Sequence, residues 1–568
     1  MFIKLNWLVP SACALTLATV LPGVALAQDA AAPNGVEAAR YQEIARIAAQ
    51  QFDAARAGLA PAQTVPTAPV RATSIPLSVT EATARALERN LDIAVERLNP
   101  QTFDLQISRL NAAYRPTLTS TFGQRSNATP PTSTLNGGTN VVLDTTTYNA
   151  GLNQAFKKTG ANFAFAFNNN KQVTTNNLVN YNPSFQNSFS LTAVQPLLRG
   201  FRIDGNRQQL LVTAINRDVS EIQLRGTIAT TLASVRNAYW ELVYALQALE
   251  VARGSLQLAE KLVEDNRARV EVGTLAPLDV VQSEAEAATR RGTLAQAEAT
   301  WRTSELSLKR LIVNGTDDPV WAASINPTDQ PTFSVEPLNV EAAVRQALTG
   351  RTDLEQGRRT LQGNDVTLNF MRNSTLPALD MTATYGAQGL GGTQFIRAGS
   401  GVNAVVTGTV PGGYLDAFRA LTGRDYPNWN VAFNLSYPLG GGAADATYAR
   451  ARVQRNQSAA QLRSLELQVA TEVTNAALQV QSSLQRYQAA TVARGLAQQR
   501  LDAEQSRFDV GLSTNFFVVQ AQRDLSTAQN SELRALLDYR KALVDYERVQ
   551  QSPAARATTI TTINAGGN

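Results

Sequence analysis

The 568 residues carry 51 Lys and Arg against 46 Asp and Glu, a net charge of +5, and 44% of them are hydrophobic. There is no His; there are three Met and a single Cys, Cys13, which lies in an N-terminal apolar leader. Disulfides, zinc sites, Cys or Ser–His nucleophilic catalysis and soft-metal ligation are excluded together; carboxylate chemistry is not excluded by composition, but no residue cluster asks for it, and no metal, cofactor or catalytic residue is expected. The mild positive charge is spread among acids along helical stretches, which is the pattern of solvated faces and not of nucleic-acid binding.

In chain order, residues 1–27 have the form of a secretory signal: Lys4, an apolar core from Leu8 to Leu21, and Ala25-Leu26-Ala27 as cleavage site. Residues 28–75 form an Ala/Pro-rich extension, with a small amphipathic helix expected over Val36–Phe52 and four prolines keeping the rest extended. No later segment has about 18 uninterrupted apolar residues, so no spanning helix is expected.

Residues 76–313 and 338–550 then follow one plan twice, joined by a turn-rich linker at 314–337 and followed by a flexible tail, 551–568. Glu81-Ala82 matches Glu341-Ala342. A proline opens a strand at Pro116 and at Pro377. A second strand ends at Pro196-Leu197 and at Pro438-Leu439. A very long helical run is broken at Val272-Gly273 and at Val510-Gly511, and another long helix closes each half. Landmarks repeated in one order mean duplication.

The strand segments alternate with period two. Trp429, Val431, Phe433, Leu435 and Tyr437 share one face, and Asn430, Ala432, Asn434 and Ser436 the other. Phe163, Phe165 and Phe167 oppose Asn162, Ala164 and Ala166; Leu379, Met381, Ala383 and Tyr385 oppose Asp380, Thr382 and Thr384. This suits a sheet with lipid on one side and a wet interior on the other. A half-buried soluble sheet gives the same alternation. Residues 127–145, 169–184 and 386–427 are expected as loops.

The first long run, from about Gly205 to Val272, has no proline. Its seam is Ile228, Leu232, Val235, Tyr239, Leu242, Leu246 and Leu249, continued by Leu256, Val263 and Val270 alongside Arg253, Glu260 and Arg267. That is coiled-coil spacing with a half-polar end. In the second run Leu462, Leu465, Val469, Val473, Ala476, Val480, Leu484 and Tyr487 follow an eleven-residue pattern. Helices of this length must pair laterally. A few strands with two open edges cannot close a barrel in lipid, so copies must close it together.

The duplicated helix–strand–strand–helix halves, with VEVGTLAPLDVVQSEAEA beside FDVGLSTNFFVVQAQRDL, resemble the TolC-like outer-membrane efflux proteins over about 76–550. The resemblance implies an α+β membrane protein: a homotrimer with one transmembrane β-barrel in the outer-membrane lipid, four strands per chain. A long periplasmic α-helical barrel of coiled-coil pairs continues it. A hairpin over 146–156 and 160–168, turning at Lys158-Thr159-Gly160, departs from that norm and would make six. The implied function is the channel of a tripartite efflux or type I secretion system, passively carrying substrates from an inner-membrane pump of RND, ABC or MFS type to the exterior. By the same resemblance a periplasmic adaptor (membrane fusion) protein docks at the tips Val272, Gly273, Thr274 and Val510, Gly511, Leu512. Asp279 matches an acidic gate position; Phe517 and Gln520 stand where some members carry aspartates, and Phe517 could form an apolar ring or pack between helices.

A structural coiled-coil surface protein or adhesin would share the long helices but not the strands interrupting them in duplicate. The neighbouring carboxylates Glu284 and Glu286, and Asp317 and Asp318, read as solvated residues, and Gly440-Gly441-Gly442 as strand-to-helix punctuation. With no His, no Cys beyond the leader and only three Met, copper or silver is a poor choice of cargo.

Overall fold

The computed structural model describes residues 74–130, 140–176, 178–330, 337–399, 405–439 and 442–552, with six helical positions between Gln42 and Asp53. The expected signal, most of the extension and the tail, and Gly440-Gly441 lie outside the described residues. The chain divides into a unit 1–71 and a unit 72–568. In the first, Gln42, Glu43, Ala45, Arg46 and Ala49 are helical, within the span expected for the small helix.

The second unit opens with strand β1 (Ser74–Leu77) and helices α1 (Val79–Arg89) and α2 (Leu91–Ala112). Ser78 caps α1 by accepting from the Glu81 N–H. Strands β2 (Thr117–Thr129), β3 (Val141–Ala155), β4 (Asn162–Thr174) and β5 (Tyr181–Pro196) follow, then α3 (Gly205–Glu271) and α4 (Pro277–Ile312). The linker carries a helical turn, α5 (Pro319–Ala322), and β6 (Ser324–Pro327). It is therefore structured, and β6 pairs in parallel with β1, the end of the segment expected to be merely extended. The second half repeats with α6 (Val340–Gly350), α7 (Thr352–Ser374), β7 (Ala378–Ala398), β8 (Val405–Val410), a short α8 (Tyr414–Gly423), β9 (Tyr426–Ser436), α9 (Ala443–Asp509) and α10 (Asn515–Val549).

Helices α3 and α9 have 67 residues each, roughly 100 Å at 1.5 Å per residue. Their apolar stripes build two cores. Val235, Tyr239, Leu242 and Val243 pack with Leu308 and Ile312 of α4 and with Ala82 and Ala86 of α1. Leu465, Val469, Val473 and Val480 pack with Tyr539, Leu543 and Tyr546 of α10 and with Ala343 and Ala347 of α6. Each fully buried Leu or Val contributes about 1.5–3 kcal/mol. Toward the far end of α3 the buried positions are Ala252, Ala259, Leu262 and Asn266. The polar half of the expected seam, Arg253, Glu260 and Arg267, is one residue off. These three are exposed and paired with Glu250, Arg291 and Glu284.

One antiparallel sheet holds strands from both halves, in the order β2-β3-β4-β5-β7, with β8 and β9 both along the far side of β7. The β3–β4 hairpin lies inside this order. The expected loop 169–184 is strand to Thr174 and again from Tyr181, and 386–427 contains most of β7 together with β8, α8 and the start of β9. The cause is Gly and Asn content, which mimics turns. Gly389 and Gly391 are in fact places where α8 seats on β7, and an added Cβ would lie 1.9 Å from the Ala417 carbonyl oxygen and 2.5 Å from the Ala417 amide nitrogen, respectively.

The register makes the two faces unlike. Leu118, Leu152, Phe165, Leu191, Tyr385 and Trp429 are successive cross-strand partners, an apolar rung spanning the sheet. The adjacent rungs on the other face are Thr119, Gly151, Ala166, Ser190, Gly386 and Asn428, and Thr117, Asn153, Ala164, Thr192, Thr384 and Asn430. Away from the seat of α8, which packs on this same face, the apolar face is uncovered in the single chain: Phe122 is 81% and Trp429 76% exposed. Both edges, β2 on one side and β8 with β9 on the other, are open among the described residues.

Candidate functional site at the helix-hairpin tips

The two α-hairpins end in the same backbone device. After α3, the Thr274 N–H donates to the Arg269 carbonyl (2.9 Å) and the Gly273 N–H to the Val270 carbonyl (3.0 Å). After α9, the Leu512 N–H donates to the Arg507 carbonyl (2.8 Å) and the Gly511 N–H to the Phe508 carbonyl (3.1 Å). This is the Schellman closure of a helix, and it puts its C′ residue in the left-handed region. Gly273 and Gly511 both have φ of +76°. A Cβ at either would meet nothing within 4 Å, so backbone conformation alone demands glycine here.

The residues around these turns point outward. Val272 is 73% and Leu512 80% exposed, and Val510, Leu278, Val281 and Phe516 are exposed as well. A Schellman turn usually packs its C″ side chain against the helix; Leu512, at that position, stays in solvent. The tips thus present an apolar surface on a fixed frame.

Beneath it, Leu262, Phe508, Val518 and Val519 form a small core with Leu275. Polar residues that the sequence analysis did not single out tie the hairpins together. Buried Asn266 donates to the Asn515 Oδ1 (3.0 Å), and the Asn515 Nδ2 donates to the Asp279 carbonyl (3.2 Å). Arg269 stacks over Phe508 with 4.5 Å to the ring centroid and pairs with Asp509 at 2.9 Å. Asn at a helix-seam position, at 266, was a readable signal, since a lone buried amide often fixes register.

Glu286 corrects the reading of solvated acids. Only 3% exposed, it pairs with Arg290 (2.7 Å) and accepts from the Arg523 Nε (3.0 Å), so it bridges α4 and α10. Burial alone would raise its pKa, but the Arg523 hydrogen bond and the charges of Arg290 and Arg523 outweigh burial and hold it below 4.5. Glu284 is exposed and pairs with Arg267, as a solvated residue does. Asp318 is likewise buried: it caps α5 and pairs with Arg89 at 2.6 Å, while Asp317 is exposed.

Of the candidate gate residues, Asp279 lies in the first turn of α4, partly buried, and its carbonyl holds Asn515. Phe517 is 49% exposed and meets Phe516 edge-on at 5.6 Å, so within one chain it is not packed between helices. Gln520 donates to Asp524 at 2.8 Å. The Asn515–Asp279 bond brings the starts of α4 and α10 together.

A sheet with one apolar and one polar face, running into helical hairpins of this length, is the fold of the outer-membrane efflux channels. The family model described as outer membrane efflux protein matches residues 82–314 and 343–548, and the chain belongs to that family. Among solved structures, a membrane protein from Pseudomonas aeruginosa is similar at 16% identity and TM-score 0.59, covering 86% of this chain and 99% of its own. The Campylobacter jejuni CmeC outer membrane channel is similar at 13% identity and TM-score 0.58, covering 87% and 94%. The Neisseria gonorrhoeae MtrE outer membrane channel, in its open state, is similar at 17% identity and TM-score 0.57, covering 86% and 94%. These likenesses are of fold. No curated protein matches the chain.

Proposed function

We propose that this efflux-family channel works as a homotrimer, with one β-barrel in the outer membrane and one α-helical tunnel in the periplasm. It is a passive duct, receiving substrates from an inner-membrane pump through an adaptor seated on the helix tips. The observation that carries this reading is what a single copy leaves uncovered. The sheet has two open edges and an apolar face left uncovered away from α8, and Leu91, Val95, Leu98 and Leu105 run as an exposed stripe along α2. Open edges are not tolerated in lipid, and exposed stripes of this kind mark interfaces.

The exposed Val272, Val510 and Leu512, held by two identical turns, suit an apolar partner surface, which is the role assigned to the adaptor. Gly511→Pro removes the N–H that closes the turn and forbids φ of +76°. The variant should insert in the membrane normally but no longer copurify with adaptor and pump, and export should cease. Unchanged copurification and export would remove the tips from the docking role.

Asp279, Phe517 and Gln520 are assigned to the tunnel mouth, where three copies would bring Phe517 side chains around the axis as an apolar constriction. Because Phe517 is half exposed in one chain, Phe517→Ser should raise trimer conductance in planar bilayers while leaving the melting temperature nearly unchanged. A lower melting temperature with unaltered current would mark Phe517 as an intersubunit packing residue.

A further inference from the structure

We propose that the β3–β4 hairpin is a wall element of the barrel, so that each copy supplies six strand lanes and the exit is a wide pore lined mainly by hydroxyls, amides and small groups. It is suited to bulky hydrophilic solutes. The proposal rests on the trimeric reading above.

Three observations carry it. First, the hairpin is paired along its whole length, β3 to β2 over Thr117–Thr129 and β4 to β5 over Asn162–Gln172, so it cannot be lifted out without exposing two ladders. Second, its turn is seated at the base of the sheet. The buried Arg207 guanidinium donates to the Lys158 carbonyl (3.1 Å) and the Phe201 carbonyl (2.9 Å), and Gln195 donates to the Thr159 carbonyl (3.0 Å). Gly160, at φ of +70°, lies against the Gly200 carbonyl, where a Cβ would come within 2.9 Å. Third, six is an even number of antiparallel lanes. The free edges β2 and β9 therefore run in opposite directions, and β9 of one copy can pair antiparallel with β2 of the next in a head-to-tail ring.

Six lanes from each of three copies make eighteen strands, in the range where barrels hold an open aqueous channel. Diameter grows about linearly with strand number, so the hairpin widens the bore roughly 1.5-fold over a barrel of four lanes per copy. On the polar face, the rung Thr117, Asn153, Ala164, Thr192, Thr384 and Asn430 and the rung beyond it carry hydroxyls, amides and small groups without charge. The same face also carries Arg125 and Asp380, one base and one acid per copy, so the wall offers mainly hydrogen bonds to a hydrated solute and no excess of either charge.

Electron cryomicroscopy of the protein in lipid nanodiscs counts the strands. Eighteen in a trimer, with β3 and β4 in the wall, is expected. A trimer with twelve in the wall and the hairpins folded aside overturns the proposal. Six lanes per copy in a ring of another size overturns the trimeric reading and leaves the hairpin assignment standing. Bore is read by adding graded polyethylene glycols on the external side of a bilayer. The largest that enters and lowers conductance should have a radius roughly 1.5-fold greater for the full chain than for a variant lacking residues 141–174. Equal cut-offs in two trimeric channels would overturn the claimed width.

Discussion

The joints where α1 meets α2 and α6 meets α7 occupy matching places in the two halves and are held by different chemistry. In the first, buried Asn90 caps α2, its Oδ1 accepting from the Asp92 and Ile93 N–H groups and its Nδ2 donating to the Leu311 carbonyl at 2.9 Å. In the second, Arg351 stands at the cap without a capping bond. It is 0% exposed and pairs with Asp353 and Glu472 at 2.7 Å each, and donates to the Val549 carbonyl. The helix tips behave oppositely, since both use glycine at the same φ. Side-chain anchors can be exchanged when their partners change with them. A backbone demand for positive φ cannot be met another way at comparable cost.

The comparison predicts unequal sensitivities. Arg351→Met strands two partly or fully buried carboxylates, and should destabilise the helical domain by about 3–5 kcal/mol in denaturant unfolding followed by helix signal. Asn90→Ala loses a neutral cap and should cost about 1–2 kcal/mol. Equal losses would mean the two joints share a mechanism after all. The Glu286 bridge should be smaller still in its pH dependence. Its pKa is depressed, so its contribution is present above the ordinary value of 4.5 and lost as pH falls through the folded pKa. Amide protection at the tips, taken relative to the intrinsic exchange rate, should therefore fall below pH 4.5 in the native protein and not in Glu286→Gln. The same loss of protection in both would clear Glu286 of the role.

Much of the fold was legible because its signals are long. Runs of 67 residues without proline and strands alternating over five or more positions leave few other readings. The tip glycines were legible because both halves stop their helices alike. Short-range offsets were less so. The matched Glu-Ala pairs suggested aligning Ala82 with Ala342, yet the buried partners are Ala82 and Ala343, since the caps Ser78 and Asn339 set the helix phase. The polar clamps at Glu286 and Arg351, and the partner of Asn266, were hidden for a different reason. A charged or amide residue on a helix reads as solvated until its partner arrives from 94 to 249 residues away, as Asn515 does for Asn266 and Ser458 for Asn364.

An open sheet and bare helix stripes leave a single copy incomplete. Native mass measurement of the protein extracted from outer membranes in mild detergent tests this most directly. Folded particles of three copies, with no folded single copy, are the expected result. A stable folded monomer containing a closed barrel would contradict it.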